Sequence, residues 1–155
     1  MGQLETALRE VRATGGHAFV PYVTGGFPGV DAGLLRALQE AGADAVEVGI
    51  PFSDPVMDGG VVQEASRRSL EAGTTPGAVF DVIAQAGLSI PVAVMTYVNP
   101  VMRLGLPAFL DRAREAGVRG VIVPDVPVDE ADELCEESSA RDIDAVLLAA
   151  PGSTA

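Results

Sequence analysis

The sequence predicts an α/β fold in which parallel strands alternate with helices. Two observations carry the prediction. Short, nearly continuous apolar runs recur along the chain, which is typical of strands that are covered on both faces. Each run is followed, after a short connection, by a segment whose apolar residues are spaced as on one face of a helix. Strand–helix–strand units of this kind form parallel sheets with right-handed crossovers.

The five predicted strands are apolar runs that end at turn-forming residues. The first, HAFVPYVTGG (17–26), is closed by glycines, and the second, DAVEVGIPF (44–52), is β-branched and reaches a proline. The other three are IPVAVMTYVNP (90–100), VRGVIVPDVP (118–127) and IDAVLLAAP (143–151). Strands this apolar are expected inside a sheet that has helices packed against it.

The predicted helices are supported by their apolar spacing and their end signals. They span 1–16, 31–42, 59–73, 75–86, 107–117 and 128–142. The N-terminal segment is amphipathic and does not resemble a signal peptide. The second helix repeats leucine on one face, and the second, third and fifth stop at a glycine. Thr75 and Pro76 suit the N-cap and first helical position of the fourth.

Composition indicates one folded domain. The chain has 155 residues, which suits a single domain with a sizeable core, and its hydrophobic content of 48% argues against disorder. The formal net charge of −12 argues against nucleic acid or an anionic membrane as a partner. The single cysteine, Cys135, excludes an internal disulfide and fits a reducing cytoplasm, where we expect the protein to be located.

Two architectures fit the alternating pattern: an open doubly wound sheet and part of a (β/α)8 barrel. No G-x-G-x-x-G motif follows a strand, which argues against the first. Polar residues recur at the carboxyl ends of strands, where barrel active sites lie. They are Thr24, Ser53, Asp54, Tyr97, Asn99 and Asp125. A complete barrel needs about 200 residues or more. We therefore expect a single partial barrel over 1–155, with about five of the eight strand–helix units and open edges that need a partner.

An acidic residue interrupts the second strand. Glu47 shares a face with Ala45 and Gly49, and these small neighbours leave room for a ligand inside a barrel. Burial would raise the pKa of Glu47 and favour proton transfer near neutral pH. The pattern equally allows a buried carboxylate that is satisfied by nearby donors and has no chemical role.

A second carboxylate, Asp58, follows in a loop rich in Pro, Gly and Asp. Such residues are common in loops that only turn, and Asp54 could cap the following helix. Two acids could also bind a divalent cation, but that would need more oxygen ligands than this stretch offers, so no metal is expected. Asp125 also ends a strand, where holding a loop is at least as well supported as catalysis.

Four segments occur in order and together resemble the α subunit of tryptophan synthase. They are PYVTGGFPG, GADAVEVGIPFSDPVMDGG, VMTYVNP and VIVPDVP, and the resemblance runs from about residue 4 to the C-terminus. The most specific feature is the PFSDP-x-x-DG segment that follows a strand glutamate. The resemblance implies a (β/α)8 lyase that cleaves indole-3-glycerol phosphate to indole and glyceraldehyde 3-phosphate in tryptophan biosynthesis. It also implies a β subunit that carries pyridoxal phosphate and receives the indole within an α2β2 tetramer, with no cofactor in this chain.

The resemblance assigns roles to individual residues. Glu47 and Asp58 match the catalytic acids, while Tyr22, Tyr97 and Ile122 match positions that line the indole pocket. The positions that match a loop contacting the β subunit are Pro51, Ser53, Asp54 and Pro55.

The sequence departs from the family in two respects. Gly60 stands where proline is usual, which would loosen the loop that holds Asp58. The segments that supply the phosphate-binding amides and the mobile lid in this family are expected to be absent from residues 1–155, so substrate binding by this piece alone should be poor. An inactive interaction module and a stand-alone lyase that releases free indole are therefore alternative functions.

Overall fold

The computed structural model describes residues 2–149 and confirms the predicted alternation of strands and helices. The strands are β1 (Tyr22–Thr24), β2 (Val46–Gly49), β3 (Val92–Met95), β4 (Val118–Ile122) and β5 (Asp144–Val146). The helices are α1 (Gln3–Ala13), α2 (Ala32–Glu40), α3 (Gly60–Glu71), α4 (Pro76–Ala86), α5 (Val98–Leu104), α6 (Leu106–Glu115) and α7 (Asp132–Ser139), with a 3-10 turn at Val128–Glu130. Within the described residues, no helix is both long and apolar enough to cross a membrane.

The sheet confirms the expected partial barrel and excludes the doubly wound alternative. All four strand pairings are parallel, and the spatial order is β1-β2-β3-β4-β5. A doubly wound sheet reverses its strand order at a switch point, whereas a (β/α)8 barrel adds each strand beside the previous one. The observed order is therefore that of a barrel segment. Over residues 2–149 the sheet does not close, and β1 and β5 are its edges.

The outer face of the sheet holds the main hydrophobic core. Alternate residues of β2, β3 and β4 point toward the helices and are almost completely buried. Phe80 of α4 and Phe109 of α6 meet edge to face above them, with ring centroids 5.4 Å apart. These contacts explain why the strand sequences are so apolar.

The inner face is lined by smaller side chains and partly covered by α1. Leu4 of α1 forms a second buried cluster with Ala45, Ala93 and Ile122. Gly120 makes this approach possible, since a Cβ there would lie 2.4 Å from Leu4 Cδ2.

The N-terminus of α1 is fixed to the sheet by a residue of β5. The Asp144 carboxylate accepts a hydrogen bond of 3.0 Å from the Glu5 backbone N–H. This bond satisfies one of the free donors in the first turn of α1. The amphipathic N-terminal helix was predicted, but its place inside the half-barrel was not.

Strand lengths and two helices differ from the sequence predictions. The helix predicted over 128–142 begins as a 3-10 turn at Val128–Glu130 and is α-helical only over Asp132–Ser139. The run 17–26 contributes only Tyr22–Thr24 to β1, because Pro21 cannot donate to the ladder. The run 90–100 leaves the sheet after Met95, and its last three residues begin α5, which was not predicted. Pro100 is tolerated there because the first turn of a helix needs no intrahelical N–H donors.

The last two strands are also shorter than predicted. The run 118–127 leaves the sheet after Ile122, shortly before a proline, and of residues 143–149 only Asp144–Val146 are in the sheet. The predicted strand end beyond Ala149, and the loop expected after it, lie outside the described residues.

Phe109 should be a major contributor to stability. Replacing it with alanine should lower the free energy of unfolding by about 3–5 kcal/mol, because its side chain is fully buried and leaves a cavity. The matched control is Phe19→Ala, since Phe19 is 48% exposed and its loss should cost no more than about 0.5 kcal/mol. Urea unfolding of both variants measures the difference, and equal losses would contradict the outer-face core.

Candidate functional site

Glu47 lies on the inner face of the sheet. It shares that face with Ala45, whereas the residues on either side of it belong to the outer core. Its register neighbours are Tyr22 on β1 and Ala93 on β3. The side chain is half-buried, with a small methyl group on one side and a phenol on the other. This strand therefore presents a carboxylate to the space that a barrel would enclose.

Asp58 reaches the same space from the β2–α3 loop (residues 50–59). Burial is the main cause that raises the pKa of Glu47 above its usual value, and the negative charge of Asp58 raises it further. The two acids are thus close enough to influence one another. Glu47 keeps its proton to higher pH than an exposed glutamate does, which suits it to donating a proton.

Tyr22 extends across β2 toward the acids. A Cβ at Gly49 would lie 2.1 Å from the Tyr22 hydroxyl, so the missing side chain at Gly49 makes room for the phenol. The Thr24 hydroxyl donates a weak hydrogen bond of 3.4 Å to the Tyr22 oxygen. Burial is the main cause that raises the pKa of Tyr22, and the charges of Asp58 and Glu47 add to it. The phenol therefore remains protonated and can donate a hydrogen bond into the site.

Tyr97 anchors the β2–α3 loop through its hydroxyl. The Met57 backbone N–H donates to the Tyr97 oxygen at 2.9 Å, and the Tyr97 hydroxyl donates to Asp58 Oδ2 at 3.2 Å. The Phe52 ring stacks on the Tyr97 ring at a centroid distance of 5.3 Å. The Tyr97 side chain is buried, and this burial is the main cause that raises its pKa. The family resemblance predicts that Tyr97 lines the pocket. Its hydrogen bond to Asp58 can in addition orient that carboxylate.

Gln63 is a loop contact that the sequence analysis missed. Its side-chain amide on α3 donates to the backbone oxygen of Asp58 at 2.9 Å and of Pro55 at 3.3 Å. Nothing in the sequence pattern distinguishes Gln63 from other polar residues on an exposed helix face. Its position only becomes informative once the loop is seen to fold back over the first turn of α3.

Ile122 and Met95 form an apolar side of the site. Ile122 ends β4 on the inner face and is 9% exposed, and Met95 is its register partner on β3. Both pack with Ala93 in the inner cluster. Met95 was not singled out from the sequence, although the two-residue alternation from Ala93 would have indicated it.

The predicted partner-contacting residues occupy the outer part of the β2–α3 loop. Pro51 is buried and Pro55 is half-buried, whereas Ser53 and Asp54 are exposed and hydrogen-bond to each other at 2.6 Å. The alternative that Asp54 caps the following helix is wrong, because the N-cap of α3 is Gly59 and no side chain caps it.

Two large apolar side chains of this loop face solvent. Val56 is 78% exposed and Met57 is 60% exposed. An exposed apolar surface beside a functional loop is typical of a protein-binding region.

The arrangement suits acid–base chemistry on a planar, partly apolar ligand. It combines a proton donor, Glu47, with a second carboxylate, Asp58, that is oriented by a phenol. Among residues 2–149, no group of three or more His, Cys, Asp or Glu side chains is placed to hold a metal ion. The two carboxylates and the phenols beside them can exchange protons and form hydrogen bonds with a ligand.

Comparison with protein families identifies the group that this chain resembles. The family model described as "Tryptophan synthase alpha chain" matches residues 8–155. The tryptophan synthase alpha chain of Prochlorococcus marinus (strain MIT 9313) is 43% identical over 98% of this chain and 57% of the relative. The alpha chain of Methanosarcina acetivorans is 41% identical over 88% of this chain and 51% of the relative. The chain thus spans a little more than half the length of these curated relatives.

Solved structures give the same result. The tryptophan synthase subunit alpha of Legionella pneumophila superimposes with a TM-score of 0.92 at 32% identity, covering 100% of this chain and 61% of that chain. A tryptophan synthase structure from Mycobacterium tuberculosis gives a TM-score of 0.89 at 35% identity, covering 99% and 61% of the two chains. The tryptophan synthase complex of Pyrococcus furiosus gives 0.82 at 40% identity, covering 88% and 58%. The five-stranded sheet is therefore a segment of the (β/α)8 barrel of these proteins.

The raised pKa of Glu47 should make stability fall as pH rises. The folded protein holds this proton above the usual value of 4.5, whereas the unfolded chain releases it there. The free energy of unfolding should therefore decrease, relative to that of a Glu47→Gln variant, as pH rises from about 4.5 through the folded-state pKa. Denaturant unfolding at a series of pH values measures this difference, and a difference that stays constant with pH would contradict the burial of Glu47.

Gly60→Pro should stabilise the protein. Gly60 is the first residue of α3, where proline is favoured, and a Cβ there would meet nothing within 4 Å. The preceding Gly59 has φ −74 and ψ 162, which is the extended conformation that a following proline requires. The free energy of unfolding should rise by about 0.4–1 kcal/mol. The free energy of unfolding of Gly59→Pro, which changes the neighbouring position, is measured for comparison. A loss of stability in Gly60→Pro would show that the start of α3 is not as described.

Proposed function

The chain belongs to the tryptophan synthase alpha chain family, and on that premise we propose that it cleaves indole-3-glycerol phosphate to indole and glyceraldehyde 3-phosphate in tryptophan biosynthesis. The observation that carries the proposal is the pairing of Glu47 with Asp58 on the inner side of the half-barrel. Their environments differ, because one acid lies on a strand and the other in a loop.

When the bond between the indole ring and the glycerol chain breaks, the ring carbon must already carry a proton, because it would otherwise leave as a carbanion. Protonation at C3 gives an indolenine whose cationic nitrogen can accept the electrons of the breaking bond. We assign this proton to Glu47, whose raised pKa keeps it protonated to higher pH than an exposed glutamate. Glu47 then removes the proton of the glycerol hydroxyl as the new carbonyl forms, which restores the acid.

Asp58 stabilises the positive charge that develops on the indole nitrogen. Its Oδ2 oxygen accepts from Tyr97, so the other carboxylate oxygen is the one assigned to the ring N–H. Tyr22, Tyr97 and Ile122 supply the walls of the indole pocket. The aromatic and branched side chains match a flat, apolar ring, and the two phenols hold the polar edge of the site.

The β subunit of tryptophan synthase is the proposed partner. The exposed Ser53, Asp54, Val56 and Met57 would meet it, together with Pro51 and Pro55 below them. In the resulting α2β2 tetramer, indole would pass to a site in the β subunit that holds pyridoxal phosphate, and this chain would need no cofactor. Cytoplasmic location fits the single free cysteine.

We propose that residues 1–155 form one partial-barrel domain. An interaction module without catalysis is the second candidate, and it is favoured by the exposed apolar side chains of the β2–α3 loop. A stand-alone lyase is the third.

One assay separates the three candidates. Indole release from indole-3-glycerol phosphate is measured for the chain alone and with a β subunit. Release only with the β subunit supports the α-subunit function, equal release in both supports a stand-alone lyase, and a stable complex without release supports the interaction module.

Glu47→Gln should abolish cleavage while retaining ligand binding. Glutamine keeps the size and hydrogen-bonding capacity of the side chain but cannot exchange the proton. The rate should fall by roughly 100-fold to 10,000-fold, the usual contribution of a general acid or base. Calorimetry with indole as the probe tests retained binding, and wild-type turnover in this variant would refute the assigned role.

A further inference from the structure

Asp125 follows β4 in a turn that the proposed reaction does not use. The turn is closed by a hydrogen bond of 3.1 Å from the Val126 N–H to the Val123 oxygen, and Asp125 is half-buried within it. Its Oδ1 oxygen accepts a hydrogen bond of 2.9 Å from the Val98 N–H of α5. The carboxylate is therefore engaged with backbone, which argues for a structural action on a neighbouring element.

The N-terminus of α5 lacks a cap from its own N-cap residue. That residue is Tyr97, which makes no side-chain cap hydrogen bond. N-cap positions usually hold Ser, Thr, Asp or Asn, because their short polar side chains reach the free N–H groups of the first turn. Tyr97 instead directs its hydroxyl to Met57 and Asp58. Asp125 supplies the missing acceptor from the turn after β4, with a negative charge that suits a helix N-terminus.

We infer that Asp125 is a positioning residue for Asp58 and acts through Tyr97. The effect on catalysis rests on the proposed function, whereas the hydrogen bonds that link Asp125, Tyr97 and Asp58 do not. Asp125 bonds to the N–H that follows Tyr97, so it fixes the backbone where β3 passes into α5. The Tyr97 phenol then orients the Asp58 carboxylate and holds the β2–α3 loop through Met57 and Phe52. Asp58, a loop residue, is thereby positioned by the turn that follows β4.

The two tyrosines and the absence of tryptophan allow a direct test. The chain contains Tyr22 and Tyr97 and no Trp, so a Tyr22→Phe background leaves Tyr97 as the only phenol. Ionisation of Tyr97 is followed in this background by ultraviolet absorbance during alkaline titration. Burial and the nearby Asp58 charge raise the pKa of Tyr97 above 10.0, so a displaced phenol ionises at lower pH.

Three variants are compared in that background. Asp125→Ala removes the acceptor, and Asp125→Asn removes the charge but keeps an acceptor that caps about equally well. Asp31→Ala is the matched control, because Asp31 is the N-cap residue of α2 and its carboxylate accepts a hydrogen bond of 2.9 Å from the Leu34 N–H, far from Tyr97 in the chain. If the alanine variant does not fold, Asp125→Glu is compared with the unchanged Asp125 in the same background, because its longer side chain displaces the acceptor while both proteins keep the charge.

Asp125→Ala should increase the ionisation constant of Tyr97 by on the order of tenfold relative to Asp125→Asn, which is about one pKa unit. Asp31→Ala should leave the ionisation constant of Tyr97 unchanged, although this variant loses a comparable helix cap. Both Asp125 variants lack the charge, so a difference between them reports the lost hydrogen bond. Equal titrations in Asp125→Ala and Asp125→Asn, or an equal shift in Asp31→Ala, would overturn the inference.

An activity measurement with the β subunit separates this inference from the proposed function. Asp125→Ala should lower kcat for indole release by roughly 10-fold to 100-fold, because a misplaced acid is costly to catalysis, and Asp125→Asn should restore most of it. If the wild-type protein releases no indole, the proposed function fails while the Tyr97 titration still decides the role of Asp125. Wild-type kcat in Asp125→Ala, in a protein that is active, would overturn the inference.

Discussion

The partial burial of the Glu47 carboxylate on the inner face of a parallel sheet is the constraint on which the rest of the structure depends. A charged group loses hydration when it is buried. Glu47 therefore needs space and polar neighbours on the inner face of the sheet, while the outer face packs against helices. The two-residue alternation of a strand provides this division. At the level of Glu47 the inner row contains Ala93 and Gly120, both small, and the phenol of Tyr22. The small residues beside the acid thus leave space for it on the inner face.

The second acid is held in a different way. Asp58 lies in a loop that precedes two adjacent glycines, a combination that favours mobility. Three contacts oppose that freedom: the Tyr97 hydroxyl on its carboxylate, the Gln63 amide on its backbone oxygen, and the Phe52 ring stacked on Tyr97. A site on a loop becomes precise when the surrounding side chains are themselves fixed by packing. The position of Asp58 therefore depends on β3 and α3 together.

The half-barrel also explains the position of α1. A sheet whose inner face carries small residues leaves apolar surface open, and Leu4 covers the part below the proposed site. Asp144 ties the first turn of α1 to β5, at the opposite end of the sheet from β1. This contact joins the N-terminal helix to the last described strand. The burial of Leu4 against the inner face and the Asp144 cap thus hold α1 against the half-barrel.

The sequence by itself determined the α/β class, the order of the elements, the outer core and the two acids, because these follow from local spacing and from a distinctive motif. The partial barrel was also expected from the polar residues at the strand ends, and the strand order confirms it. Tertiary structure alone decided that residues 98–100 are helical and which contacts Tyr97 and Asp125 make. Tyr97 does not cap the helix that it precedes, and Asp125 supplies the acceptor from the turn after β4. Such pairings join residues far apart in the chain, and no local pattern records them.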